Sequence, residues 1–181
     1  RMSLLPGSNG GDTEGWSAIL DISELSGAFA RTGRALTARD VIEFVVLDRD
    51  NVSSVWHCLR AARENAHAVR GTLTAEMWET TNATWLEIRD MTPQKLQGMD
   101  LGEFFEWVKF RSHLLRGVTF GTMLHDEAFK FVRLGTYLER ADNTARLLDV
   151  KYQSLLPRAD GLTRSTDFYQ WGALLRSVSA F

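Results

Sequence analysis

The chain has 181 residues, of which 44% are hydrophobic, so it is long enough for one well-packed domain and too short for two. Its formal net charge of -2 gives no electrostatic footprint for nucleic acid or an anionic membrane as the main partner. The single cysteine, Cys58, excludes an internal disulfide and favours a reducing compartment, so we expect a cytoplasmic protein. No apolar run approaches the roughly 20 residues that a membrane span requires.

Helix signals follow one another along the chain. Thr37 precedes Asp40 by three residues, which is a capping pattern, and further helix starts are predicted near Ser53 and after Gly71. The apolar stretch IEFVVLDRD (42–50) is short enough to be a strand or a helix, and the cap before it favours a helix. Each proline falls at the edge of a periodic segment, where a helix can stop. We therefore predict an all-α fold.

Two longer helices are predicted in the second half of the chain. The first runs from Asp100 to about Gly121 and opens with a capping box between Asp100 and Glu103. The second runs from about His125 to Leu156, roughly 45 Å at 1.5 Å per residue. Its apolar residues recur every three or four positions, and we expect this stripe to be buried against other helices. The stripe consists of Leu134, Tyr137, Leu138, Ala141, Ala145, Leu148, Tyr152 and Leu155.

The remaining segments complete the predicted organisation. Flexible loops are expected at 7–15, which is rich in glycine, and at 158–167, which is polar. A last helix is predicted to start at Asp167. The expected fold is a multi-helix bundle of about seven helices that forms a single domain over residues 1–181.

The tetrapeptide SLLP occurs twice, at residues 3–6 and 154–157, and a tryptophan-led segment follows each copy, at Trp16 and Trp171. The two SLLP copies are separated by nearly the same number of residues as the two tryptophan-led segments. This predicts that the chain is one phase of an internally duplicated helical protein. The chain is then expected to cover one period and about 30 further residues of a longer protein. A chain that covers only part of a duplicated protein would expose apolar helix faces that the rest of that protein covers. Self-association is therefore also expected.

Four segments carry a family resemblance: CLRAARENAHAVR (58–70), EMWETTN (76–82), FVRLGTYLERADNTARLLDVKY (131–152) and QWGALLRSVSAF (170–181). Together they resemble the bacterial alpha-E domain family, most specifically in YLERADNTARLLDV. The resemblance implies an all-helical fold. It also implies a genomic partnership with ATP-grasp-like ligases and transglutaminase-like proteins, in systems proposed to make or modify peptide-like products.

The YLERADNTARLLDV segment contains a candidate polar site. Glu139, Asn143 and Arg146 lie within about 60° of one another on the side opposite the apolar stripe. Asp142 and Arg146 have the four-residue spacing of an exposed ion pair, so a solvated face is one interpretation. The other is a ligand site, in which arginines hold a carboxylate or a phosphate bidentately. With partners from the RAARENA segment, the candidate polar cluster is Glu139, Arg140, Asn143, Arg146, Arg60, Arg63, Glu64 and Asn65.

Other reactive residues give weaker signals. Glu64 and His67 have the E-x-x-H spacing of dinuclear bundle sites, but such a site needs a second copy and two more glutamates. The sequence therefore predicts neither a metal site nor a cofactor. Cys58 is expected to be a small core residue, and Trp78 and Trp85, one heptad apart, are also expected in the core.

The resemblance to the alpha-E family implies an accessory or partner-binding domain of an ATP-dependent amide-forming or peptide-modifying system, with an ATP-grasp-like ligase or a related protein as the partner. Two alternatives stay open: an enzyme with a Glu/Arg/Asn site between helices, and a ferritin-like metal-binding bundle. A catalytic site should lie in a concave pocket, whereas a docking surface should be an exposed apolar patch.

Overall fold

The computed structural model describes residues 13–155, with the side chains of 15–17, 19–146 and 148–149. Over this part of the chain it contains eight α-helices, one short 3-10 turn and no strand. The prediction of an all-α fold is confirmed, and the helix count is close to the expected seven. The helices are α1 (Thr13–Ile22), α2 (Ser26–Arg31), α3 (Ala38–Val46), α4 (Val55–Ala68), α5 (Ala75–Ile88), α6 (Pro93–Gln97), α7 (Leu101–Thr122) and α8 (Glu127–Leu155).

Side-chain caps confirm two of the predicted helix starts. The Thr37 hydroxyl accepts a hydrogen bond from the backbone N–H of Asp40 at 3.2 Å, before α3. The Asp100 carboxylate accepts one from the backbone N–H of Glu103 at 2.9 Å, before α7. Each cap satisfies a donor that has no partner within its own helix.

α4 begins after Ser54, which confirms the start predicted near Ser53, and the Ser54 hydroxyl accepts from the backbone N–H of His57 at 3.1 Å. Two other helix starts differ from the prediction. α5 begins after Thr74, because a 3-10 turn occupies the residues just before it. α6 was not predicted, although Thr92 followed by Pro93 is a start signal, with a capping hydroxyl and a proline in the first turn.

Some predictions fall wholly or partly outside residues 13–155. These are the start at Asp167, the loop at 158–167 and the two SLLP copies. The predicted loop at 7–15 overlaps α1, whose first residue is Thr13, so its last three residues are helical. The ambiguous stretch IEFVVLDRD is helical as far as Val46, the last residue of α3.

Contacts between residues divide the chain into two compact units. Of the described residues, unit 1 combines 13–26 with 134–155, and unit 2 runs from Gly27 to Arg133. α8 contributes to both units because it continues through the boundary at Arg133. The prediction of a single domain over residues 1–181 stays a prediction.

Unit 2 has a core built around α5, which packs against both α4 and α7, while α3 contacts α4 and α6. Ile88 of α5 and Phe104 of α7 are among its largest fully buried side chains. The Phe29 and Phe44 rings meet edge to face, with 5.3 Å between ring centroids. Other buried apolar residues of this unit are Val41, Val46, Trp56, Met77, Leu96, Met123 and Phe129.

A buried polar joint connects α3 to α4. The Asn51 side-chain amide donates to the carbonyl of Phe44 at 3.0 Å, and its oxygen accepts from the backbone N–H of Ser53 at 3.0 Å. The Asp48 carboxylate accepts from the backbone N–H of Asn51 at 3.0 Å, and the Ser54 hydroxyl donates to the carbonyl of Asp48 at 2.6 Å. These bonds fix the path of the chain into α4.

In unit 1, α1 ends in a left-handed turn. The backbone N–H of Leu25 donates to the carbonyl of Leu20 at 2.8 Å, and that of Glu24 donates to the carbonyl of Asp21 at 2.9 Å. This is the Schellman arrangement, and Glu24 occupies the position where glycine is usual, with φ 53°. The turn directs the chain out of α1 and positions the Glu24 carboxylate.

Candidate functional site

The Glu-Arg pair of α8 is Glu139-Arg140, and both side chains are exposed. The Asn143 amide donates to Glu139 Oε1 at 3.5 Å, a long hydrogen bond across one helical turn. Arg140 lies about 100° around the helix from Glu139, and its carbonyl accepts from the Thr144 hydroxyl at 2.8 Å. The structure therefore brings Glu139 and Asn143 together and places Arg140 on another side of α8.

Arg146 is paired with two carboxylates of unit 1. Its Nε donates to Asp142 Oδ2 at 2.8 Å, which confirms the ion pair predicted from the four-residue spacing. Its Nη1 also forms an ion pair with Glu24, at the end of α1. The hydrogen bond with Asp142, and next that with Glu24, hold the pKa of Arg146 above its ordinary value. Arg146 therefore connects α8 to the end of α1, with its charge balanced by the protein.

The apolar stripe of α8 is exposed at the four large residues whose side chains the structure describes. Leu134, Tyr137, Leu138 and Leu148 are 49%, 51%, 63% and 44% exposed. The prediction that the stripe is buried is wrong for these four side chains. The helical period determines which residues share a face, but burial also requires a second surface that covers the face.

The candidate residues on α4 make contacts within unit 2. Arg63 Nη1 pairs with Glu64 Oε1 at 3.1 Å, and Arg63 Nε donates to Asn82 Oδ1 on α5 at 3.4 Å. Arg60 lies against a tryptophan ring. Asn65 is exposed on a different side of α4. Because the α8 candidates belong to unit 1, the joining of both groups in one site stays a prediction.

Sequence reasoning missed a set of arginines that contact tryptophan rings on α4 and α5, here called the Arg–Trp row. The measured distances run from each guanidinium carbon to the ring centroid. They are 4.8 Å for Arg49 and 5.5 Å for Arg60 at Trp56, and 5.6 Å for Arg63 and 5.0 Å for Arg70 at Trp78. The signal in the sequence was the alternation of three- and four-residue spacings from residue 56 to residue 70.

Cys58 is exposed, so the prediction of a core cysteine is wrong. It lies about 200° around α4 from the buried ring of Trp56, which places it on the outer side of the helix. Trp78 and Trp85 are half-buried rather than fully in the core. Trp85 packs edge-on against Trp56, with 5.1 Å between ring centroids.

The E-x-x-H residues of α4 contact groups other than metal ligands. Glu64 is paired with Arg63, and the His67 ring lies 5.7 Å from the Trp78 ring, centroid to centroid. Within residues 13–155, no group of three or more His, Cys, Asp or Glu side chains is arranged to hold a metal ion. The ferritin-like alternative therefore gains no support from this part of the chain.

The features so far define an all-helical protein with a Glu-Arg pair on the exposed side of its longest described helix. The chain belongs to the Alpha-E family, a predicted alpha-helical domain with a conserved ER motif, whose family model matches residues 1–181. Glu139-Arg140 is the single Glu-Arg dipeptide in the sequence. No curated protein and no solved structure matches the chain. In residues 13–155, every helix is too short or too polar to traverse a bilayer.

Proposed function

We propose that this chain is a partner-binding helical domain that docks through the apolar stripe of α8. The observation that carries the proposal is the exposure of Leu134, Leu138 and Leu148, which share one face of the helix with Tyr137. Contiguous apolar surface of this kind is uncommon on monomeric proteins and marks interaction sites. An amphipathic helix presents such a face to a groove or to another helix of its partner.

In this proposal the partner is an ATP-grasp-like ligase or a related protein, and the pair acts in an ATP-dependent system that makes or modifies amide bonds. The likeness of the YLERADNTARLLDV segment to the alpha-E family supports this partner, because that family accompanies such enzymes. The presence of a single cysteine, Cys58, is in keeping with a cytoplasmic location for the system.

The polar side of α8 favours binding over catalysis by this chain. Glu139 is exposed, and Arg146 is engaged by Asp142 and Glu24. A general acid or base is usually tuned by burial or by a specific charged neighbour in a cleft. The exposed Glu139 carboxylate has no such burial, whereas the opposite side of the helix has the apolar exposure expected of a docking surface.

The stripe offers enough apolar surface for appreciable affinity. Fully burying one leucine side chain contributes about 1.5–3 kcal/mol. Leu134, Leu138 and Leu148 retain 49%, 63% and 44% of their accessible surface. If a partner covers that remaining surface, the three leucines together contribute about 2–5 kcal/mol before the entropic cost of association.

The test compares two leucine substitutions in the full chain, with affinity for the proposed ATP-grasp-like ligase partner measured by calorimetry. Leu138→Asp removes the most exposed leucine of the stripe and places a charge in the interface. Leu124→Asp is the matched control, because Leu124 is 79% exposed and lies between α7 and α8. We expect Leu138→Asp to weaken binding at least about tenfold and Leu124→Asp less than about twofold.

Two results would overturn the proposal. One is equal ligase affinity for Leu138→Asp and the unmodified chain. The other is a dimer of the chain alone, seen by light scattering, that becomes monomeric on Leu138→Asp and does not bind the ligase. The stripe would then be an interface between two copies of this chain.

A further inference from the structure

The Arg–Trp row concentrates positive charge along one side of unit 2. On α4, Trp56, Arg60 and Arg63 lie within about 60° of one another at 100° per residue. Arg49 precedes the helix at the α3–α4 joint, and Arg70 follows it in the 3-10 turn. The row therefore runs along the whole of α4.

The charge of this row is only partly balanced by the protein. Arg63 is paired with Glu64, but Arg49, Arg60 and Arg70 form no ion pair within residues 13–155. The nearest acidic residues of α5, Glu76 and Glu79, lie about 160° and 100° around that helix from Trp78. They therefore point away from the side of α5 that meets the arginines.

Each of the two tryptophan rings has two guanidinium groups beside it. A single exposed cation–π contact contributes roughly 0.5–1 kcal/mol, and two like charges at one ring repel each other. The Trp56 ring is fixed because it is 7% exposed and its Nε1–H donates to the carbonyl of Arg89 at 3.2 Å. Within residues 13–155 the side chains of Arg49, Arg60 and Arg70 donate no hydrogen bond, so their N–H groups can bind a planar oxyanion. Arg63 already donates from Nε to Asn82 and from Nη1 to Glu64, which leaves its Nη2 for the ligand.

We propose that the Arg–Trp row binds an extended acidic peptide through two carboxylates. One carboxylate is held by Arg49 and Arg60 beside Trp56, and the other by Arg63 and Arg70 beside Trp78. Arg60 and Arg63, the members of the two pairs that lie on α4, are about 4.5 Å apart in rise, and Arg49 and Arg70 lie beyond the opposite ends of that helix, so the centres of the two pairs are farther apart than this. Two to four residues of extended chain span about 7–13 Å, so the acidic residues of the ligand are two to four positions apart.

A ligand with several carboxylates suits this surface better than a single anion. An exposed charged pair contributes little by itself, whereas two linked pairs act at high effective concentration. Nucleic acid is disfavoured because the whole chain carries a formal net charge of -2, which repels a densely charged polymer at long range. The charge of a short acidic peptide is low enough to approach the local row.

The experiment is an NMR titration of the full ¹⁵N-labelled chain at low ionic strength with the peptide GEAAEG. We expect saturable shifts of the indole N–H signals of Trp56 and Trp78, and none with the control peptide GQAAQG. Arg60→Gln and Arg70→Gln should each weaken binding about threefold to fivefold, and the double variant about tenfold to twentyfold. Arg116→Gln, an exposed arginine of α7, is the matched control and should titrate like the unmodified chain.

Three results would overturn the inference: equal shifts with GQAAQG, unchanged affinity in the Arg60→Gln, Arg70→Gln double variant, or tighter binding of an oligothymidylate or of inorganic phosphate than of GEAAEG. The inference does not depend on the α8 stripe. Leu138→Asp should leave the peptide titration unchanged, so failure of either proposal is recognised separately.

Discussion

Asn51 is the residue whose loss should most clearly disturb the α3–α4 joint. It is 5% exposed, donates to the carbonyl of Phe44, and accepts from the backbone N–H of Ser53. Asn51→Ala leaves that carbonyl and that N–H without their partner in a site that little water reaches. The joint also sets the position of Arg49, so the substitution acts on the Arg–Trp row as well as on stability.

The expected magnitude follows from the two groups that lose their partner. A buried polar group left without a hydrogen bond costs about 1–3 kcal/mol, and the Ser53 N–H is only partly buried and costs less than the Phe44 carbonyl, so Asn51→Ala should lower the free energy of unfolding by about 2–4 kcal/mol. Asn65→Ala is the matched control, because Asn65 is exposed inside α4. Alanine is the better helix former there, so this variant should be unchanged or more stable by about 0.5 kcal/mol.

Urea unfolding followed by tryptophan fluorescence measures this effect, because four of the six tryptophans lie in unit 2. With an m-value of about 2 kcal/mol per molar, the midpoint for Asn51→Ala should fall by about 1–2 M. If the urea midpoint of Asn51→Ala lies within about 0.2 M of the midpoint of Asn65→Ala, the hydrogen-bond reasoning is refuted. This includes the case in which both midpoints fall by the same amount.

Two further substitutions test the core and the polar side of α8. Ile88→Ala should lower the free energy of unfolding by about 2–5 kcal/mol, because Ile88 is fully buried between helices. Leu86→Ala, at a position 46% exposed on the same helix, should cost no more than about 1 kcal/mol, and a reversed order would contradict the described core. Glu139→Gln in the intact system should leave product formation within about twofold of the original, since Glu139 is exposed, and loss of turnover with intact folding would instead make it catalytic.

Short-range features of the fold were predictable from the sequence. The caps at Thr37 and Asp100 and the pair between Asp142 and Arg146 join residues three or four positions apart. Their geometry follows directly from the helical period. Helix type, several of the helix starts and the residues that share a helix face could therefore be predicted without coordinates.

Long-range features were not predictable in the same way. The pair between Arg146 and Glu24 joins residues that are far apart in the chain, and it depends on the left-handed turn at Glu24. The stripe around Leu138 was expected in the core because its pattern is amphipathic, but the pattern does not say whether a covering surface is present. Cys58 shows the same error, since a residue type that is usually buried lies on the outer side of α4.

The central claim is that the face of α8 containing Leu134, Leu138 and Leu148 is where the partner binds. Hydrogen–deuterium exchange of the full chain, with and without the ATP-grasp-like ligase, tests it directly. The account predicts slower exchange in residues 134–148 when the ligase is bound, with little change in α5. Protection confined to α4 and α5, with none in residues 134–148, would contradict it.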